Sequence, residues 1–369
     1  MKPTCRCLWI ALALTGAVAA LAAGDEPWHW SGSYPGKAVT LLLLGDINVQ
    51  QRADATGVFV HVRDTLNRAD LVYGNLEGLL VKSEGPDKDI PDKSGWQHIG
   101  PEAIAALKAG HVQVVGVANN VAYGPANIMK SLTVLDANSI IHTGGGATLD
   151  QAHKPAIVER KGVKFGFLQY TAKWYLEDQQ IATATSPGVA RILSRDGTTV
   201  DPSDLNRLRD DIRRLRPLVD VVVVSSHNRD GLAGRATASA AGSGPERSAD
   251  LFSPIVLGTR FAEAEPYEKE LAHAAIDAGA DLVYGHGSHV LQGVEVYKGK
   301  PILYCVGNFA MDWVRMRPNK EGMVVRVVTQ GKSLLRVSFV PLTRDPESND
   351  VQMLDPSTGE GARLFQKVK

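Results

Sequence analysis

Four consecutive valines, Val221 to Val224, run straight into Ser225, Ser226 and His227. An unbroken β-branched run has no polar face, so it fits a strand covered on both sides, as in the parallel sheet of an α/β fold. Two hydroxyls and an imidazole at the end of such a strand imply that its tip meets something polar. The form recurs in "AVTLLLLGD" (38–46), "DLVYGN" (70–75), "VQVVGVANN" (112–120), "KFGFLQYT" (164–171) and "DLVYGH" (281–286). Helical patterns separate these runs. "PEAIAALKAG" places Pro101 in a first turn and Gly110 at the stop. "DPSDLNRLRDDIRRLRP" offers Asp201 as N-cap, Pro202 at the first helical position, and Leu205, Leu208, Ile212 and Leu215 on one face. Its arginines, interleaved with Asp204, Asp210 and Asp211, read as a solvated face. "EKELAHAAIDAGAD" again ends at a glycine. Strands alternating with helices predict an α/β fold. Later, "GVEVYKG", "KPILYCVGN" and "GMVVRVVTQGKSLLRVSFVPL" follow at hairpin spacing, with a turn at Gly331, so antiparallel pairing is expected there.

The strand tips share one chemistry. They carry Asp46 and Asn48 in "GDIN", Asn75 and Glu77 in "GNLEG", Asn119 and Asn120 in "ANN", His227 in "SSHN", and His286 and His289 in "GHGSH". Each residue alone reads as a turn cap, a loop hydrogen bond or a satisfied core histidine. Together they matter because the carboxyl ends of parallel strands open on one rim, where ligands bind. Gly285, Gly287 and Ser288 let the chain bend so that both neighbouring imidazoles face inward. Carboxylate, amide and imidazole donors in this mixture suit Mn, Fe or Zn in a two-metal centre. Two divalent ions about 3.5–4 Å apart polarise a phosphoryl oxygen, activate water and steady a leaving oxygen. The expected set has Glu77 bridging, Asp46, His289 and Asn48 on one ion, and Asn120, His227 and His286 on the other. Asn75 and Asn119 are left to contact substrate.

The charge balance narrows the partners: Lys plus Arg and Asp plus Glu each number 40, so no global field draws the chain to nucleic acid or an anionic membrane. Residues 1–23 are different. Lys2 and Arg6 precede an apolar run of about 17 residues in which Ala20-Leu21-Ala22 supplies the small-x-small cleavage pattern, and "GDEPWHW" follows. This predicts a secretory signal peptide, too short for the roughly 20 residues of a membrane span, with an uncleaved anchor as the alternative. A secreted or periplasmic, envelope-associated location follows. Cleavage would remove Cys5 and Cys7, leaving Cys305, in "PILYCVGNF", as a buried, unreactive thiol. Residues 24–37 read as a linker, 38–343 as the main domain and 344–369 as a C-terminal tail. Within the domain, the small, polar stretch 231–266 reads as an insertion or lid. "TGGGATL" lacks the third glycine of a dinucleotide fingerprint, no Gly-x-Ser-x-Gly elbow occurs, and no Cys pair supports a zinc knuckle.

"LLLLGDIN", "DLVYGNLEG", "VVGVANN", "VVVVSSHN" and the long "AAIDAGADLVYGHGSHVLQGVEVYKGKPILYCVGNF" resemble, in order, the capsule-synthesis CapA family, the poly-γ-glutamate synthesis group of the calcineurin-like metallophosphoesterase superfamily. The resemblance runs from about Val39 to Met311. It implies a sandwich of two mixed β-sheets flanked by helices, with a dinuclear site at the strand ends, so the later strands have a second layer open to them. It also implies export, capsule machinery as a partner, and an anionic polymer or phosphoester as substrate.

Two departures qualify it. Where the family reads Asn-Asn-His, this chain has Asn119-Asn120-Val121. In the superfamily that histidine protonates the leaving alkoxide, help worth about 10²- to 10⁴-fold. Valine cannot supply it, and the sequence leaves open whether Tyr123 or His142 does. The second is Asn228-Arg229 in place of the family's Trp-Gly. Arg229 reads either as a clamp for an anionic substrate or as a solvent-facing loop residue. The sequence therefore carries two readings: a metal-dependent hydrolase, and a non-catalytic protein that binds or anchors an anionic capsular polymer in the same groove.

Overall fold

The computed structural model describes residues 38–85, 88–90, 93, 95–194, 197–228 and 263–368. The expected signal segment, the linker up to residue 37, Arg229 and most of the 231–266 stretch lie outside them. No helix among the described residues is long and apolar enough to cross a membrane.

In chain order the first strands are β1 (Val39–Asn48), β2 (Leu71–Leu76), β3 (Val114–Gly116), β4 (Ile141–Thr143) and β5 (Gly145–Gly146). Next come β6 (Ala156–Arg160), β7 (Val163–Thr171), β8 (Gly188–Val189), β9 (Val221–His227) and β10 (Leu282–His286). The last are β11 (Val294–Tyr297), β12 (Lys300–Leu303), β13 (Asn308–Met311), β14 (Gly322–Gln330), β15 (Ser333–Arg344) and β16 (Val351–Met353). The longer helices are α1 (Ala103–Ala109), α2 (Pro125–Ala137), α3 (Pro202–Leu215), α4 (Pro266–Ala278) and α5 (Gly359–Gln366).

Two mixed sheets form a sandwich, the architecture expected. One runs β16-β15-β14-β1-β2-β3-β4, with β13 also on β1; the other runs β11-β12-β10-β9-β7-β6. Alternation along β1 shows why its sequence is apolar throughout: Leu41 and Leu43 enter the core between the sheets, while Leu42 and Leu44 enter the core on the outer face. Between the sheets, Tyr73 of β2 stacks on Phe167 of β7 at 4.8 Å. α1 and α2 cover the outer face of the first sheet, and α3 and α4 cover the second.

The late strands do form hairpins, but they divide between layers: β11 and β12 extend the second sheet, whereas β14 pairs with β1 in the first and β15 with β14. The expected strand 112–120 pairs only over Val114–Gly116. Residues 344–368, expected as a tail, belong to the domain: β16 pairs with β15, and Leu364 of α5 is buried in the core between the sheets.

Candidate metal centre

Within each sheet the strands that carry the polar tips run parallel, so their carboxyl ends lie together. The two groups of tips then meet across the sandwich. From the first sheet come Asp46 on β1, Asn75 on β2, and Glu77, Asn119 and Asn120 just beyond strand ends; from the second come His227 and His286, direct cross-strand partners on β9 and β10, and then His289. All are buried.

Asp46 is the centre of the cluster. Its Oδ1 lies 3.0 Å from His286 Nδ1 and its Oδ2 3.3 Å from His289 Nδ1. His289 Nε2 lies 3.8 Å from Glu77 Oε1. Asp46, Glu77 and His289 each offer a ligand atom, and these atoms lie within 4.8 Å of one another. Burial pushes the Asp46 carboxyl upward, but the adjacent His286 and His289 imidazoles and the charges of His286 and His227 outweigh it, so the group stays well below the usual carboxylate range. The centre is thus built to keep a buried carboxylate ionised.

Local backbone features aim these groups. The β1–β2 register shifts between Leu44 and Asp46, a bulge that turns the aspartate into the site. His289 holds φ +60°, a left-handed conformation uncommon for a residue with a side chain. Gly287, at φ +96°, precedes it by two residues, and a Cβ there would lie 2.0 Å from the Asn228 carbonyl oxygen.

Amides hold the donors in place. Asn75 Nδ2 donates to Asp46 Oδ1 at 2.8 Å and lies 3.3 Å from His227 Nδ1, while its Oδ1 accepts from Gln169 at 2.9 Å and Asn119 at 3.2 Å. Both ends of Asn75 are therefore engaged within the protein, as a brace between the sheets; its expected role in contacting substrate is not what this geometry offers. Asn119 also donates to the Leu76 carbonyl at 2.8 Å. Asn48, expected on the first ion, spends its amide on the Glu77 carbonyl at 2.8 Å and accepts from Gln50 at 2.9 Å. Asn120 turns its Nδ2 to the Tyr175 hydroxyl at 3.5 Å. His286, assigned with Asn120 and His227 to the second ion, touches the carboxylate assigned to the first.

Sequence reasoning passed over Gln169, Asn308, Tyr175 and Gln180. Asn308 Oδ1 lies 2.9 Å from His289 Nδ1, and taking that proton leaves Nε2 as the ligating atom, on the side of Glu77. "GNF" after the apolar "PILYCV" carried the same strand-end signal as "GN" at 74–75, but it was absorbed into a strand and its cysteine. Cys305 is buried as expected, and burial, with the charge of Asp46, pushes its thiol up to about 12. His142 pairs with Asp136 at 3.3 Å, so its imidazole is committed elsewhere. Val121 is buried in an apolar cluster with Ile90, Trp96, Val290, Met311, Trp313 and Met316.

The donor set fits divalent ions. His286 Nε2 and the Asn120 side-chain oxygen are buried with no hydrogen-bond partner, and an imidazole nitrogen and an amide oxygen are both acceptable ligands beside carboxylates.

The family model for the bacterial capsule synthesis protein PGA_cap matches residues 34–237 and 257–313, more than half the chain. The uncharacterized protein y4uA of Sinorhizobium fredii is 28% identical over 312 residues, covering 75% of this chain and 67% of its own. The capsule biosynthesis protein CapA of Bacillus anthracis is 24% identical over 321 residues, covering 82% of this chain and 67% of its own. Among solved structures, a hypothetical protein from Thermus thermophilus aligns over 83% of this chain and 100% of its own, with 13% identity and a TM-score of 0.48. With the motif blocks, the two-sheet sandwich and the match to the family model in agreement, the chain belongs to the bacterial capsule synthesis protein PGA_cap family.

Proposed function

We propose that this protein is an exported CapA-type capsule biosynthesis protein whose buried centre holds two divalent ions and hydrolyses a phosphoester or a related bond in an envelope polymer. The observation that carries the reading is the meeting of Asp46, Glu77 and His289 within 4.8 Å at the ends of strands from both sheets, with His286 3.0 Å from the same aspartate. Export rests on the charged-then-apolar start of the sequence. An anionic polymer or phosphoester substrate and capsule machinery as a partner rest on the family and on the cationic character that bound ions would give the cleft.

In this reading Asp46, Glu77, His289, His286 and His227 hold the ions, with Asn120 completing the set through its side-chain oxygen. Bound there, divalent ions would polarise a phosphoryl oxygen and acidify water. The protein's own share is positional. Asn75 ties Asp46 to His227, Asn308 fixes the His289 ring, and the surrounding apolar cores keep bulk water from the carboxylates, strengthening every charge interaction in the cleft.

Val121 favours a second reading, in which the same groove binds an anionic polymer without turning it over. Cleavage of activated aryl phosphates, whose leaving groups need no proton, separates the two. The Mn-supplied protein should release nitrophenol, and His286→Ala should abolish the release. Intact substrate with ions bound favours the binding protein, and activity that survives His286→Ala assigns the cleavage to a contaminant.

A further inference from the structure

The acid expected after Asn120 is replaced by Val121, whose side chain is buried among Trp96, Trp313, Met311, Met316, Ile90 and Val290. That position has no proton to give. A hydroxyl from another segment stands beside the neighbouring Asn120. Tyr175 is half-buried and packs its ring against this apolar cluster. Its hydroxyl oxygen accepts from Asn120 Nδ2 at 3.5 Å. In that contact the oxygen is the acceptor, so the phenolic proton is not spent on Asn120. The contact also turns the Asn120 side-chain oxygen, buried without a hydrogen-bond partner, away from the tyrosine.

The segment carrying Tyr175 is tied to the segment carrying Val121. Gln180, fully buried, donates to the carbonyls of Asn120 at 2.8 Å and Ala122 at 3.1 Å, the residues on either side of Val121. Its Oε1 accepts from the backbone N–H of Tyr175 at 2.5 Å and of Leu176 at 3.3 Å. Gly124 N–H donates to the Gln179 carbonyl at 2.8 Å. A single glutamine side chain thus fixes Tyr175 relative to Asn120. The Lys93 ammonium lies 3.8 Å from the Trp96 ring centroid, 4.6 Å from that of Trp313 and 6.0 Å from that of Tyr175. A cation beside the ring favours negative charge developing on the phenolate.

We propose that the Tyr175 hydroxyl takes the place of the missing imidazole and donates its proton to the leaving oxygen of the ester; this rests on the hydrolase reading above. In the step, the oxygen of a water molecule bonds to phosphorus as the bond from phosphorus to the leaving oxygen breaks. The leaving oxygen takes the phenolic proton, the attacking water releases a proton to solvent, and the phenolate is reprotonated from solvent. The balance is ester plus water to phosphate plus alcohol. Phenols are stronger acids than alkyl alcohols, so the transfer runs downhill for an alkoxide leaving group and adds little for a nitrophenolate. Tyr175 therefore sets which esters the site opens.

The test compares wild type with Tyr175→Phe, both supplied with Mn, on p-nitrophenyl phosphate and an alkyl phosphate, with inorganic phosphate affinity measured by calorimetry on the same preparations. Phenylalanine keeps the ring packing, and an unchanged melting temperature confirms it. The expected result is a loss of about 10²-fold or more in turnover of the alkyl ester, a much smaller change with p-nitrophenyl phosphate, and phosphate bound roughly tenfold more weakly for want of one hydrogen bond to a charged group. Equal slowing of both esters, or of neither, overturns the proton-donor role and leaves the hydrolase reading standing. A wild type that binds phosphate but cleaves neither ester also overturns it, since no leaving group is then protonated. A wild type that neither binds nor cleaves removes the hydrolase reading and Tyr175's role together.

Discussion

Asn75 shows how much a single amide can organise. It is wholly buried, yet its four hydrogen-bonding positions are taken by Asp46, His227, Gln169 and Asn119, which come from both sheets. Asn75→Ala would leave Asp46 and His227 short of a buried partner, a cost of about 1–3 kcal/mol for each group left unsatisfied. Urea denaturation should show that loss, and metal affinity should fall because Asp46 is no longer held. A variant as stable as wild type would mean that Asn75 braces nothing. Gly45 acts on the same aspartate through the backbone: a Cβ there would lie 2.2 Å from the Gly307 carbonyl oxygen, so the bulge that aims Asp46 has no room for a side chain. The donors themselves were legible in the sequence as polar residues ending apolar runs. The contacts of Asn75, Asn48 and Asn308 were not, because an amide's partners are set by what faces it across the fold.

At the scale of elements, α3 illustrates both what pattern reveals and what it misses. Pro202 and the Asp201 cap were readable, and Leu205, Leu208, Ile212 and Leu215 are indeed the buried stripe. Its arginines do form a solvent-facing side, but the aspartates interleaved with them do not all share it. Two of them instead turn inward: Asp204 pairs with Arg191, and Asp211 accepts from His153 at 2.7 Å and from the Tyr170 hydroxyl at 2.9 Å. Asp201 gives the helix a pH dependence. Hydrogen bonds from the Ser203 hydroxyl and backbone N–H hold its carboxyl below the usual carboxylate value. Since the folded value is depressed, the stabilisation is present above the unfolded carboxylate's pKa of about 3.9 and is lost as pH falls through the folded one. Asp201→Ala should cost about 1 kcal/mol near neutral pH, and the difference from wild type should shrink in acid below about pH 4. A difference independent of pH would assign the cost to something other than the ionised cap.

For the molecule as a whole, the centre depends on the two sheets being docked, since Asp46 and Asn75 come from one and His286 and His227 from the other. Ion binding and global stability are therefore linked. An ion present at about a hundred times its dissociation constant adds about 2.7 kcal/mol, so chelator should lower the melting temperature of wild type, added Mn or Zn should restore it, and Asp46→Ala should respond to neither. A wild-type melting temperature indifferent to chelator and metal would argue that the centre holds no ion. Unlike the donors, the domain's end had no readable mark: residues 344–368 lack a long apolar run, yet β16 and α5 close the sandwich.

Strands, most of the helices and the identity of the donors were written into the chain locally, because a strand buried on both faces must be apolar throughout and must change character where it leaves the sheet. Which strands share a sheet, that β14 joins β1 with β15 beyond it, and that Tyr175 stands beside Asn120 emerged with the folded molecule alone. Those outcomes depend on register and on packing between segments far apart in the chain. Local periodicity carries no information about either.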